Sequence, residues 1–172
     1  MTAHPAEVLA NALGSAVEEQ VQFRDEVTLV VARDRILEAL RAAREAGFTF
    51  LTDLTAIDRR PAEPRFEVVY LLTAPELRAR VRVKVRLSGT DPVVASATVV
   101  WPGANWLERE VFDLFGIRFT GHPDLRRILL PDDWEGHPLR KDFPLVEEPV
   151  QFVGHTPKVP SQIIPKTEPK RP

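Results

Sequence analysis

Arg78-Ala79-Arg80-Val81-Arg82-Val83-Lys84-Val85-Arg86-Leu87 alternates charged and apolar side chains along nearly its whole length. Successive side chains of a strand point to opposite faces. Val81, Val83, Val85 and Leu87 are therefore expected inside, and Arg80, Arg82, Lys84 and Arg86 outside. One buried and one solvated face marks an antiparallel or mixed sheet covered on a single side. Working upstream, residues 65–73 read as a largely apolar strand and residues 48–57 as another, joined through the 58–64 cluster. Residues 27–32 add a further strand. Downstream, Ser88-Gly89-Thr90-Asp91-Pro92 breaks the chain, and residues 93–100 are expected to add a further strand.

Helical periodicity appears three times. From residue 6 to about residue 20, Val8/Leu9, Ala12/Leu13 and Ala16/Val17 recur every four positions, with Gly14 weakening the pattern. Asp34 is placed to cap a second helix, with Ile36, Leu37, Leu40 and Ala43 on one face and Gly47 as its stop. Trp101-Pro102-Gly103 leads into a third, where Asn105 and Glu108 have capping-box spacing. There Leu107, Val111, Leu114 and Phe115 share a sheet-facing side. Trp106, Arg109, Glu110 and Asp113 fall on another, flanked by Glu108 and Phe112, and Gly116 ends the helix. These elements predict an α+β fold, a two-layer sandwich of helices on a mostly antiparallel or mixed sheet. Residues 1–24 are expected as an N-terminal helical segment and residues 25–145 as the main domain. Seven prolines in the last 29 residues predict an extended proline-rich arm over residues 146–172. Its apolar residues, among them Val150, Phe152 and Ile163, suit docking on a partner; a solvated tail is the alternative.

The 172 residues contain no cysteine, which excludes disulfides, thiolate metal sites and thiol catalysis within the chain. A net charge of −2 gives no global pull toward nucleic acid or an anionic membrane. Glu7, Glu18 and Glu19 argue against a secretory leader, and no run approaches the length of a membrane span. Neither a phosphate-cradling glycine loop nor a Gly-x-Ser-x-Gly elbow occurs. The paired acids Glu108/Glu110 and Asp132/Asp133 read as capping and solvation before acid–base catalysis. His122 and His137, with Asp124, Asp133 and Asp142, form a conceivable metal set, but their spacing matches no compact signature and structural histidines are the better reading. The basic strand face lacks the aromatics of a single-strand RNA binder.

Between residues 108 and 145, charges of both signs are mixed with Phe, Leu, Ile and Trp in a span too irregular for one element. Arg126, Arg127, Arg140 and Lys141 could pair internally with Glu108, Glu110, Asp113, Asp124 and Asp142. Such density also suits contact with another macromolecule, because paired charges can be buried where lone ones cannot. From the residues alone, this is a non-catalytic α+β interaction module.

Glu108-Arg109-Glu110, Asp113-Leu114-Phe115-Gly116-Ile117, His122-Pro123-Asp124-Leu125-Arg126-Arg127-Ile128-Leu129 and Glu135-Gly136-His137-Pro138-Leu139-Arg140-Lys141-Asp142-Phe143-Pro144-Leu145 stand at fixed spacing. Together they closely resemble the thirty-kilodalton (C-type) subunit family of proton-pumping NADH–quinone oxidoreductase, respiratory complex I. Phe50 to Asp58, Arg65 to Tyr70 and Trp101 to Trp106 extend the resemblance over roughly residues 25–145. Leu130-Pro131-Asp132-Asp133-Trp134 departs from the family's Thr-Asp-Tyr-Gly-Phe-like stretch without changing its length.

The resemblance implies a subunit of the peripheral arm on the cytoplasmic side of the bacterial membrane, reaching the membrane only through the complex. It implies no catalytic residue, metal or cofactor in this chain, with FMN, iron–sulfur clusters and quinone held by partner subunits. The implied partners are the large quinone-site subunit (D-like) and the terminal iron–sulfur subunit (B-like), with no nucleic acid. The implied interface comprises Trp106, Glu108, Arg109, Glu110, Asp113, His122, Asp124, Arg126, Arg127, His137, Arg140, Lys141 and Asp142. Within it, Arg126→Ala and Arg140→Ala are expected to weaken assembly more than the fold. The equivalent subunit of a membrane-bound hydrogenase-type complex is the nearest alternative, and an RNA-binding or scaffold domain a more distant one.

Overall fold

The computed structural model describes residues 5–24 and 26–144. In chain order it contains α1 (Pro5–Leu13), β1 (Val17–Phe23), β2 (Glu26–Val31), α2 (Ile36–Glu45), β3 (Phe50–Asp58), β4 (Phe66–Ala74), β5 (Ala79–Leu87), β6 (Val93–Ala95), α3 (Ala104–Phe115) and β7 (Arg118–Thr120). Five strands form one sheet in the order β1-β2-β5-β4-β3. Every neighbouring pair is antiparallel except β2 and β5. A separate parallel pair joins β6 to β7.

The alternation in β5 sets the two faces. Val81, Val83, Val85 and Leu87 are opposite Leu72, Tyr70, Val68 and Phe66 of β4, and all are buried. With Val27 and Leu29 of β2 they form the floor of a core roofed by the helices. From α1 come Ala6, Leu9 and Leu13, from α2 Ile36, Ala39, Leu40 and Ala43, and from α3 Ala104, Val111 and Phe115. The helices thus cover one side only, as the sequence pattern requires. On the other side, Glu67 of β4 binds Lys84 (3.1 Å) and Arg59 (2.8 Å), Arg82 binds Glu26 (2.8 Å), and Arg86 binds Glu19 (2.5 Å). The basic strand face is largely neutralised by acids on neighbouring strands.

The α+β sandwich agrees with expectation, and four local readings are corrected. The first helix stops at Leu13 rather than near Gln20, so residues 17–23 of the segment expected as helical are a strand. Gly14 takes a left-handed φ of 50°, and the following residues pair with β2 instead. Glu18, Glu19, Gln20 and Gln22 make β1 a polar edge strand, which protects an open sheet edge against unwanted pairing. The strand expected over residues 93–100 ends at Ala95, because the Ser96 side chain accepts the Thr98 N–H and starts a tight turn. Asp34 caps nothing, since α2 is entered through a short 3-10 turn over Arg33–Arg35. Asn105 and Glu108 form no capping box, and Glu108 is used elsewhere. The expected arm over residues 146–172 lies outside the described residues.

The assignment of faces predicts opposite responses on one strand. Val83→Ala should cost about 2 kcal/mol of unfolding free energy. Arg80→Ala, at an exposed position, should stay within about 0.5 kcal/mol. Urea denaturation of the two variants distinguishes them.

Candidate functional site

Helix α3 ends at Gly116, whose φ of 69° turns the chain off the helix axis. The last carbonyls of a helix have no partner within it and carry its negative dipole end. Here Gly116 closes one, and the irregular segment after β7 returns to satisfy those that follow. The Phe112 carbonyl accepts from Gly116 N (2.8 Å), Asp113 O from His137 Nδ1 (2.8 Å), Leu114 O from Leu139 N (3.1 Å), and Phe115 O from Arg140 Nε (2.5 Å). His137 donates through Nδ1 because its acceptor is a carbonyl. Space for this return exists because residue 116 lacks a side chain. A Cβ there would lie 2.5 Å from the His137 ring and 2.6 Å from the Arg140 guanidinium.

The Asp113 side chain organises the preceding part of the segment. It is fully buried. Oδ2 accepts the backbone N–H groups of Ile128 (3.1 Å), Leu129 (2.8 Å) and Leu130 (2.9 Å), and Oδ1 accepts from Arg127 (2.7 Å). Burial works to raise the Asp113 pKa, but these donors outweigh it and hold the carboxyl at about 2. Arg127 also donates to the carbonyls of Trp134 (2.9 Å) and Gly136 (3.1 Å), while Arg109 donates to those of Arg126 (3.1 Å) and Arg127 (2.9 Å). The segment has almost no regular secondary structure, yet its backbone is tied by charge-assisted bonds.

A second clamp joins it to the sheet. Arg65 makes paired bonds to Asp58 (2.6 and 3.0 Å) and to Asp142 (2.6 and 2.9 Å), and Asp58 also accepts Lys141 N (2.8 Å). Arg65 beside them holds the Asp58 carboxyl far below the usual carboxylate range and Asp142 at about 2. The Arg65 and Arg140 guanidinium groups both lie over the Phe66 ring.

At the start of α3, Glu108 is fully buried. It accepts from Ser96 Oγ (2.7 Å) and Ala97 N (2.5 Å), with His122 Nε2 4.0 Å away. His122 accepts the Asp124 N–H at Nδ1 (3.0 Å), so its Nε2 carries the proton offered to Asn105 O (3.2 Å). Burial pushes the Glu108 pKa up to about 7, against the lowering effect of its two donors.

The thirteen expected interface residues therefore divide. Glu108 and Asp113 have no exposed surface, so direct contact of either with a partner is corrected; their ligands are in this chain. Arg109, Arg127, His137 and Arg140 are likewise engaged with backbone carbonyls, and Asp142 with Arg65. Because Arg140 caps α3, its replacement is expected to disturb the fold as well as any assembly. Trp106, Glu110, Asp124, Arg126 and Lys141 remain on the outside. His122 and His137 serve different parts of α3, and among the described residues no three potential ligands gather around a metal position.

Sequence reasoning missed the Asp58–Arg65 clamp and the apolar side chains that the segment displays. With three successive N–H groups drawn in by Asp113, Leu129 is left 61% exposed and Ile128 36%. Leu139, Trp134 and Trp106 are also exposed, the last at 59%. Such a group on a fixed backbone fits a protein interface, where large apolar anchors supply most of the binding energy.

Asp113→Asn should cost about 3 kcal/mol, because three N–H groups and a guanidinium lose their carboxylate. The Asp113 pKa is depressed in the fold, so its contribution is present above about pH 4 and is lost as pH falls toward 2. The variant should lack that part of the acid transition in urea titrations at different pH. Glu108 has the opposite sign. Its folded pKa lies above its ordinary value, so stability should decline as pH rises from about 4.5 to 7. Glu108→Gln should flatten that decline.

A family model for the 30 kDa subunit of respiratory-chain NADH dehydrogenase matches residues 29–149. The C-type subunit of the NADH-quinone oxidoreductase of Roseiflexus sp. (strain RS-1) is 49% identical over 149 residues, covering 85% of this chain and 86% of that protein. Its counterpart in Citrifermentans bemidjiense is 49% identical over 138 residues, covering 80% and 86%. Among solved structures, a trypsin-resistant fragment of Nqo5 superposes with a TM-score of 0.62 at 34% identity, covering 70% of this chain and 98% of the fragment. A chain of the membrane-bound sulfane sulfur reductase, an archaeal respiratory membrane complex, gives a TM-score of 0.71 at 28% identity, covering 82% and 84%. With the match spanning β3 to β5, α3 and the clamped segment alike, the chain belongs to the family of the 30 kDa subunit of respiratory-chain NADH dehydrogenase.

Proposed function

We propose that this chain is a structural subunit in the peripheral arm of a proton-pumping NADH–quinone oxidoreductase. In this reading it braces the quinone-site subunit (D-like) and the terminal iron–sulfur subunit (B-like) while electrons pass from NADH to quinone. FMN, iron–sulfur clusters and quinone belong to the partners, and this chain contributes position rather than chemistry. It reaches the membrane through those partners, on the cytoplasmic side. Among the described residues no helix is long and apolar enough to cross a membrane.

One observation carries the mechanical part of the reading. Exposed Leu129, Trp134 and Leu139 sit on a backbone held by Asp113, Arg127 and the end of α3, and exposed Trp106 sits on the first turn of that helix. A rigid surface has little conformational freedom left to lose on docking, so its apolar contacts convert more fully into affinity. Electron transfer between neighbouring subunits requires fixed distances, which a pre-ordered brace can maintain. The similarity to a chain of the sulfane sulfur reductase favours a second reading, in which the same brace serves a respiratory complex with a different electron donor or acceptor.

Affinity purification of the tagged chain from gently solubilised host membranes tests both. A flavoprotein that oxidises NADH, with iron–sulfur and antiporter-like membrane subunits, is the expected set. A nickel–iron hydrogenase or sulfur-reductase set would replace it with the second reading, and a chain recovered alone or with RNA would overturn both. Leu129→Asp should reduce recovery of the large subunit at least about tenfold while leaving the melting temperature of the free chain within a few degrees. Unchanged recovery would place the docking surface elsewhere.

A further inference from the structure

The outer cations of β5 and of the turn before it are not all neutralised. Arg82, Lys84 and Arg86 have carboxylate partners, whereas among the described residues the side chains of Arg78 and Arg80 make no hydrogen bond or ion pair. Both border an open cleft of about 540 Å³ with Arg24, Glu26 and Thr73. Glu26 is bonded to Arg82, and Glu76 in the turn before Arg78 pairs with neither arginine.

Arg24 and Arg78 both have φ of 48°, the only positive values for non-glycine residues among those described. A left-handed conformation costs an ordinary side chain about 1 kcal/mol, and such strain tends to collect at functional positions. Here two separate turns, β1–β2 and β4–β5, each hold an arginine in it at the rim of one cleft.

The cleft itself is lined mainly by charged and small residues, and exposed apolar side chains flank it. Phe23 is 66% exposed beneath the Arg24 guanidinium, and Phe50 and Leu77 are also exposed. A smaller cavity of about 170 Å³ adjoins the cleft through Glu26, Thr73 and Arg80, with Leu71, Thr52 and Arg82 completing its outer-face lining.

This surface is remote from the clamp at Asp58. Asp58 is opposite Phe66 and Phe66 opposite Leu87 at one end of the sheet, while Ala74 is opposite Ala79 at the other. The nine residues of β4 separate the two ends by about 27 Å.

We propose that this far end of the sheet is a second docking surface, taking an acidic segment of a partner protein. Carboxylates of that segment pair with Arg78 and Arg80, and a neighbouring apolar side chain enters the adjoining cavity. Arginine set among exposed aromatic groups is the composition of a protein interface. A nucleic acid fits less well, because the chain carries a net charge of −2 and Glu26 lies in the cleft wall. The inference rests on the chain being part of a multisubunit assembly, and it makes the brace two-ended.

Arg80→Lys tests it within the assembled complex, since the substitution keeps the charge and supplies an amine. Carbodiimide joins an amine only to a carboxylate in contact with it. The expected product is a zero-length cross-link from position 80 to an Asp or Glu of another subunit, absent from the unsubstituted complex and from Arg80→Gln. The double variant Arg78→Glu/Arg80→Glu, which loses no internal side-chain bond, should retain that subunit about tenfold less well through a salt wash. A product only to Glu26 or Glu76, or none, in a complex whose Leu129-dependent assembly is intact, would overturn the second surface alone. Bound nucleic acid or lipid released by the double variant, with no cross-link, would also overturn it. An unsubstituted chain that recovers no partner at all would remove the assembly reading and this one together.

Discussion

The C-terminal end of α3 is the constraint from which the rest of this molecule follows. A helix end buried against other structure cannot leave its carbonyls unpaired, since each would cost about 1–3 kcal/mol. Phe112, Asp113, Leu114 and Phe115 receive donors from Gly116, His137, Leu139 and Arg140. Two of those donors are cationic or imidazole groups at the negative end of the helix dipole, where they are electrostatically favoured. The Asp113 side chain, in the same turn, performs the complementary task by gathering N–H groups from Ile128, Leu129 and Leu130. The helix thus specifies the path of some twenty residues that have little secondary structure of their own.

This arrangement explains why charge and apolar bulk are so mixed between residues 108 and 145. The charged groups are mainly internal ligands, and their bonds turn the backbone inward. Leu129, Trp134 and Leu139 are consequently displayed. The mixture meets two requirements at once, a fixed backbone and an apolar outer surface. Arg65 extends the same logic to the sheet, binding Asp58 on one side and Asp142 on the other. In the proposed role, this rigidity would contribute by limiting how far neighbouring subunits move.

Much of the fold was legible because its signals are local. The alternation in β5 and the spacing of Ile36, Leu40 and Ala43 in α2 each reflect one element meeting one core. The failures arose where tertiary pairing overrode local pattern. The helical rhythm reaches to about residue 20, yet residues 17–23 pair with β2, and no short-range cue announces the partner. Glu108 has capping-box spacing, yet burial beside Ser96 and Ala97 gives its carboxylate better donors than its own helix start. In the site, the segment itself was visible in composition and in its family resemblance. The division into internal ligands and displayed side chains was not, because the Arg65–Asp142 pair spans 77 positions in sequence and depends on the completed sheet. The apolar display followed from hydrogen bonds to backbone, which side-chain identity does not encode.

The irregular segment is as firmly held as the sheet it adjoins. Native-state hydrogen exchange of the Ile128, Leu129 and Leu130 amides in the free chain tests it most directly. If Asp113 holds these groups as described, they exchange only through the global opening that also exposes β4 and β5, with similar protection. Exchange at the rate of an unstructured loop, while β4 and β5 remain protected, would contradict the account and leave the segment to be ordered by its partner.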